Sequence, residues 1–367
     1  MDKCITKRMA NWDLLRSISM FAVLVVHTAP YLGNFFGINF SGIVSVFSIV
    51  CDPVFFALSG YFAIRPLKCS SLSYYLKKFT TIVLPLFVYA VFLCLLVTPV
   101  QDLTLKGYIQ YFSGLLTSEW WFIPTLIPFL IIAPFLHTLF ESLSDRRIIQ
   151  LSKLILILTA WGICSTFLMW AASETNHPTI GSTINSLRLI IPVSLVPNNY
   201  FIYFCLGYFF RRINPLTSRS QKQKLILLGI SAWIVDGLFS YYGVPRIDPS
   251  LHWMFVTIML FTLFDSLTIQ SDKLQHVFSW TAQRSYSIYL LNFTAIYTVM
   301  PRIYDAIAVS SLPGASRLAI WLAGLLASYL LALTVASIID KSVLAMVQQA
   351  SRFANKKILM RFESSSN

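Results

Sequence analysis

Residues 13–32, DLLRSISMFAVLVVHTAPYL, decide how the rest of the chain is read. The stretch is long and apolar enough to cross a bilayer core of about 30 Å as a helix, yet it carries Arg16 and His27. Placing an arginine near the bilayer centre costs about 2.5–3.5 kcal/mol even on a lenient insertion scale. The eleven-residue spacing is almost three helical turns, so both side chains lie on nearly one side, about 16 Å apart along the axis. A charged and a titratable group on one stripe of a membrane helix describe a polar track leading inward from one surface. The plainer alternative is an arginine snorkelling to the interface and a histidine bonded to a neighbouring helix.

The remainder agrees with a membrane setting. Of 367 residues, 56% are hydrophobic and 12% charged, against about 25% charged in a soluble domain. The net charge of +13 raises the question of nucleic acid. The cations lie in short loops between apolar segments rather than on one basic face, so a nucleic-acid partner is not expected. The opening MDKCITKRMANW runs straight into the first span, so a cleaved signal peptide is not expected. Cys51, Cys94, Cys164 and Cys205 fall in apolar segments, and Cys4 and Cys69 in stretches expected on the cytoplasmic side. None has C-x-x-C or metal-ligand spacing, so neither a disulfide framework nor a metal site is expected.

Apolar segments of spanning length predict an all-α integral membrane protein, a bundle of about ten transmembrane helices: 13–32, 40–62, 79–99, 120–140, 151–172, 189–210, 224–244, 251–269, 285–301 and 316–340. The sixth, with Pro192, Pro197, Asn198 and Asn199, is the most irregular, and the ninth is short. Cations set the orientation. With both termini cytoplasmic, 22 of the 28 Lys and Arg residues fall inside; Lys106, Arg188, Arg246, Arg302 and Arg317 fall outside, and Arg16 lies within the membrane. Residues 1–350 then form one transmembrane domain and 351–367 a basic cytoplasmic tail.

Counting rise from the cytoplasmic ends puts Arg16 about 5 Å deep and His27 about 21 Å deep on the first helix, with Ser59 about 6 Å and Asp52 about 16 Å deep on the second. Asp52 is thus roughly level with His27, and Ser59 with Arg16. A carboxylate level with an imidazole could fix its tautomer and raise its basicity; alternatively, Asp52 is protonated or caps a kink at Pro53. Arg65, Lys68, Lys77 and Lys78 cluster at the cytoplasmic mouth, where they either hold an anion or serve topology alone. Glu119, Trp120 and Trp121 open the fourth span on the outer side. Their rings could stack on a sugar or sit in an interfacial aromatic belt. Asp236, mid-span in the seventh segment, is either functional or a buried hydrogen-bonding group. His137 and Asp265 read as interfacial, and His177, His252 and His276 carry no signal.

The run WDLLRSISMFAVLVVH at 12–27, followed by FFALSGYF at 55–62, resembles the opening of the acyltransferase family 3 membrane proteins, with their R-x(10)-H and F-F-x-x-S-G-[YF] helices. KKFTTIVLPL at 77–86, WWFIPTL at 120–126, YFIYFCLGY at 200–208 and SYSIYLLN at 285–292 extend the resemblance over almost the whole chain. It departs at two places. Lys77, Lys78 and Thr81 stand where the family often has R-R-x-x-R, and Asn292 where its ninth helix often has histidine.

The resemblance implies transfer of an acyl group, usually acetyl, from cytoplasmic acetyl-CoA to a hydroxyl of a surface polysaccharide or its lipid-linked precursor, in the bacterial inner membrane. His27 would be the base and Arg16 its donor-side partner. The residue chemistry is compatible: O-acylation needs a base that titrates near neutrality, an anionic donor needs cations, and an oxyanion needs donors such as Ser59 and Arg16. Direct transfer and an acyl-enzyme intermediate both remain open, as do homo-oligomers and envelope-assembly partners. The rival reading is a proton-coupled carrier or glycan flippase, with Arg16, His27, Asp52 and Asp236 as a relay.

Overall fold

Prolines and glycines decide where the helices of this chain break and where they touch. The computed structural model describes residues 9–35, 38–99, 102–196, 199–307, 309 and 312–365. Lys3, Cys4, Lys7, Arg8, Pro197 and Asn198 lie outside the described residues. The helices are α1 (Ala10–Thr28), α2 (Phe40–Ser48), α3 (Cys51–Ala63), α4 (Ser71–Lys78), α5 (Leu84–Val97), α6 (Leu105–Thr117), α7 (Phe122–Glu141), α8 (Asp145–Glu174), α9 (Pro178–Ile190), α10 (Asn199–Ile213), α11 (Arg219–Tyr241), α12 (Trp253–Ser266), α13 (Asp272–Ile307), α14 (Gly314–Lys341) and α15 (Val343–Ser365). A small antiparallel hairpin pairs Asn34 with Asn39 and Phe35 with Ile38.

Among the described residues, seven helical stretches are long and apolar enough to span a membrane: Ala10–Tyr31, Phe40–Ala63, Ser71–Val97, Phe122–Glu141, Asp145–Glu174, Arg219–Tyr241 and Gly314–Phe362. The chain is an all-α membrane protein. Four of the ten expected spans differ in form. The stretch 189–210 is not one helix: α9 ends at Ile190, Ile191 is extended (φ −109°, ψ 96°), and α10 starts at Asn199. Ile191 precedes Pro192, whose ring disfavours helical geometry in the residue before it. The apolar helix near 251–269 has only 14 residues, Trp253–Ser266. The short ninth span is embedded in the 36-residue α13, because the polar residues at 272–284 lengthen the helix without raising its hydropathy. The second span is divided as well. α2 stops at Ser48 and α3 restarts at Cys51, which leaves Pro53 in a first turn where its missing N–H would be unpaired anyway.

The chain forms two compact units, 1–65 with 135–279 and 66–134 with 280–367. The core of the first is the pair α3 and α10, which cross at backbone distance. A Cβ on Gly60 would stand 1.7 Å from the Phe204 carbonyl oxygen, and one on Gly207 would stand 1.9 Å from the Ala57 carbonyl oxygen. Small residues permit such approach between membrane helices. These are the glycines of FFALSGYF and YFIYFCLGY.

In the second unit, aromatic hydroxyls donate to helix carbonyls close to prolines. Pro134 in α7 has no N–H to give Leu130, and Tyr74 Oη donates to the Leu130 carbonyl at 2.9 Å. Residues 79–83 widen into a π-turn ahead of Pro85, and Tyr286 Oη donates to the Ile82 carbonyl at 2.7 Å. SYSIYLLN is the hub of this unit. Besides Tyr286, Ser287 Oγ donates to Asp340 (2.7 Å), Tyr289 Oη donates to the Glu119 carbonyl (3.1 Å), and the Leu290 carbonyl accepts from Trp120 Nε1 (3.2 Å). Asn292 turns inward, its Nδ2 donating to the Tyr289 carbonyl.

Candidate active site

Arg16 and His27 both lie on α1, an unbroken helix. Both are half-buried on its protein side, along the stripe that holds the buried Trp12, Met20 and Val23, whereas Ile18 on the opposite side is exposed. Trp12 packs on Tyr61 with ring centres 4.7 Å apart, and the Arg16 guanidinium lies 5.7 Å from the centre of the Phe62 ring. These contacts place the start of α1 beside the end of α3, so the two helices run antiparallel. Eleven residues up α1 to His27 and ten down α3 to Asp52 then cover about 15–16 Å each, which brings both to one level.

Nine of the thirteen residues of α3 are buried. The other four, Asp52, Phe55, Ser59 and Phe62, are half-buried and follow helical spacing. The only accessible stripe of α3 therefore carries two of the expected site residues. Asp52 sits in the first turn, where the helix dipole favours an acid, and one of its carboxylate oxygens accepts from Cys51 Sγ at 3.6 Å.

At the other end of α3, guanidinium groups gather around Tyr61 and Phe62. Arg65 lies 5.1 Å from the Phe62 ring centre and 5.7 Å from that of Tyr61, with its Nε donating to the Tyr61 carbonyl at 3.3 Å. Arg211 of α10 lies 5.7 Å from the Tyr61 ring centre and donates to the Tyr61 (2.5 Å) and Ile64 (2.6 Å) carbonyls, capping α3. Burial and then the neighbouring Arg65 lower the Arg211 pKa from its ordinary value. Arg211 counted only as a topological cation in the sequence, because its partners lie about 150 residues away. Arg211→Ala is expected to destabilise the chain by about 1.5–3 kcal/mol, the range for hydrogen bonds to a charged group. Thermal unfolding in detergent checks this, and an unchanged transition would mean that the guanidinium does not hold the end of α3.

In the second unit, Lys68 and Lys77 are exposed, and Lys78 lies over the Tyr74 ring at 5.4 Å. Trp120 is fully buried, while Glu119 and Trp121 are half-buried on the turn that it anchors between α6 and α7. Burial pushes the Glu119 carboxyl up from its ordinary value.

A second polar group in the first unit had only its aspartate marked in the sequence. Asp236 Oδ1 accepts from Ser250 Oγ at 2.7 Å, and Oδ2 accepts from Trp253 Nε1 at 2.9 Å. His252 Nδ1 lies 3.3 Å from Asp236 Oδ1 and 3.2 Å from Ser250 Oγ. The histidine lies in a loop, and nothing local in sequence announces its partner on α11.

With this geometry in place, a family model described as an acyltransferase domain, acyltransferase family 3, matches residues 9–339. The chain belongs to that family. It is an acyltransferase, and membership favours the enzyme over the carrier reading. The match takes in α1, α3, α10 and the Asp236 group. No curated protein and no solved structure matches the chain.

Proposed function

We propose that this acyltransferase moves an acetyl group from cytoplasmic acetyl-CoA to a hydroxyl of a cell-envelope or exported polysaccharide, or of its lipid-linked precursor, in the bacterial cytoplasmic membrane. The observation that carries the reading is the position of Arg16 and His27 on the protein-facing stripe of a membrane helix, in a chain of this family. His27 takes the hydroxyl proton as the hydroxyl oxygen attacks the thioester carbonyl carbon. The carbon–sulfur bond then breaks; the thiolate leaves and takes up a proton, and the ester remains on the glycan. Asp52 orients the imidazole, and Arg16 and Ser59 are the donors offered to the developing oxyanion.

Arg16, Arg65 and Arg211 around Tyr61 and Phe62 suit the donor's phosphates, since guanidinium groups bind phosphate with two parallel hydrogen bonds. Lys68, Lys77 and Lys78 add charge as point donors. Glu119 and Trp121, on the turn held by Trp120, are offered to the acceptor. Ten spans with both termini inside is the topology that best fits the cation distribution, residues 351–367 being the basic tail.

Membrane vesicles containing the chain, supplied with radiolabelled acetyl-CoA, test the proposal. Label should enter an alkali-labile glycan or lipid-glycan fraction. The half-saturating acetyl-CoA concentration should rise with ionic strength, because salt screens the exposed part of the cation cluster. Absence of transfer together with absence of acetyl-CoA binding would overturn the reading.

A further inference from the structure

A cleft of about 590 Å³ opens between α8 and α11, within the first unit. Each wall is fixed from behind. α11 leans on α12 so closely that a Cβ on Gly229 would stand 2.8 Å from the Phe255 carbonyl oxygen. α8 is tied instead to α10, where Arg212 Nε donates to Asp145 at 2.7 Å. The last turns of α10 form the floor between them, with the buried Phe209 and Phe210 and, beside these, the buried Ile258 of α12. Leu216 and Leu228, 58% and 45% exposed, stand at the rim. The volume falls in the range of ligand pockets, about 300–1,000 Å³.

The charges of the cleft lie at one end. Lys153 of α8 and Lys224 of α11 line it from opposite walls, and both are exposed. By helical rise they stand about 12 Å and about 8 Å from the starts of their helices, the cytoplasmic end in the proposed topology. Past them both walls are apolar, through Leu156 on α8 and Leu225 and Leu228 on α11. Among the described residues no acid lines the cleft, and neither lysine has an ion-pair partner. The acids nearest in the fold are engaged, Asp145 by Arg212 and Asp265 by the Asn214 amide at 2.5 Å.

Membrane orientation does not account for this pair. Arg146, Arg147, Arg211, Arg212, Arg219 and Lys222 already supply that end with cations. Lys153 and Lys224 stand one to two turns inside their helices and meet at one apolar cleft. A ligand that fits has an anionic head level with the lysines and a hydrocarbon tail beyond it. A water-soluble anion would leave the apolar floor bare, and a neutral lipid would leave both ammonium groups unpaired. Basic pockets between membrane helices on the cytoplasmic side take anionic lipid headgroups.

We propose that the cleft binds an anionic phospholipid of the cytoplasmic leaflet, its phosphate between Lys153 and Lys224 and an acyl chain over Phe209, Phe210 and Ile258. Each lysine stem runs along the apolar wall while its ammonium serves as a point donor. The lipid is a ligand distinct from the donor and acceptor of the transfer, and it joins α8 to α11 across the gap.

Native mass spectrometry of the full chain in an uncharged detergent tests the site independently of acetyl transfer. The chain is titrated with phosphatidylglycerol or with phosphatidylcholine of the same acyl chains. The first phosphatidylglycerol should bind about 25-fold more tightly, about fivefold for each lysine. Lys153→Gln combined with Lys224→Gln should remove most of that preference. Arg146→Gln combined with Arg219→Gln takes the same charge from exposed positions on the same helices outside the cleft, and should leave the preference largely intact. Leu228→Trp, at the exposed rim, should fill the cleft and weaken both lipids, and it carries the test if the lysine variant does not fold. Equal affinity of the wild type for the two lipids would overturn the proposal. Equal losses in the two double variants would assign the preference to surface charge and overturn it too, and unchanged binding in Leu228→Trp would place the lipid elsewhere. Displacement of phosphatidylglycerol by acetyl-CoA would make the cleft part of the donor's site instead.

Discussion

His27→Ala is expected to lower acetyl transfer about 10²–10⁴-fold, the usual worth of a positioned acid–base group, in vesicles that hold as much protein as the wild type. The attacking hydroxyl is a poor nucleophile while it keeps its proton, and His27 is the titratable group on the protein-facing stripe of α1, level with Asp52 on the accessible stripe of α3. The loss should fall on the rate rather than on donor affinity, since the Arg65 and Arg211 guanidinium groups gather at the far end of α3, beside Arg16. Saturation curves in acetyl-CoA separate the two effects. Transfer within a few-fold of wild type would remove His27 from the chemistry.

Gly207→Ala should be among the most damaging small substitutions in the chain. Its Cβ would meet the Ala57 carbonyl oxygen at 1.9 Å and the Tyr61 backbone nitrogen at 2.5 Å, and neither is a side chain that can turn aside. The helices must separate, and overpacking of this kind costs about 1–3 kcal/mol or more. Gly60→Ala, with its Cβ 1.7 Å from the Phe204 carbonyl, tests the same crossing from the other helix. Both variants should show a lowered unfolding transition by size-exclusion after heating, and lost transfer at temperatures where they still fold, because α3 carries Asp52 and Ser59. A Gly207→Ala protein as stable and active as wild type would mean that α3 and α10 do not meet at their backbones.

The contrast between α1 and α3 shows what sequence can and cannot convey here. Arg16 and His27 on one face of one helix follow from a period of 3.6 residues, because both lie on an uninterrupted segment. The break before Pro53 does not follow, since proline is compatible with either a kinked helix or a fresh first turn. Pro192 gave the sequence reason to call the sixth span irregular, but hydropathy could not say that Ile191 would end a helix there. Nor can it find the N-terminal third of α13, which is helical and polar. The candidate site divides in the same way. Arg16, His27, Asp52 and Ser59 are separated by helical rises that can be counted. Arg211 and His252 depend on partners brought in from another helix, and only folding reveals whether a cation at a membrane boundary faces water or closes the end of α3.

The crossing at Gly60 and Gly207 also has a mechanical side. Backbone set against backbone leaves no layer of side chains to compress or slide at the crossing, and the Phe56 and Tyr200 rings, 4.7 Å apart, continue the contact towards Asp52, so α10 braces α3 as a rod. Arg211 grips the last carbonyls of that rod, and Asp52 stands at its opposite tip. A polyanion that draws on Arg211 would pull one end of a stiff lever, and the carboxylate facing the level of His27 would move with the other.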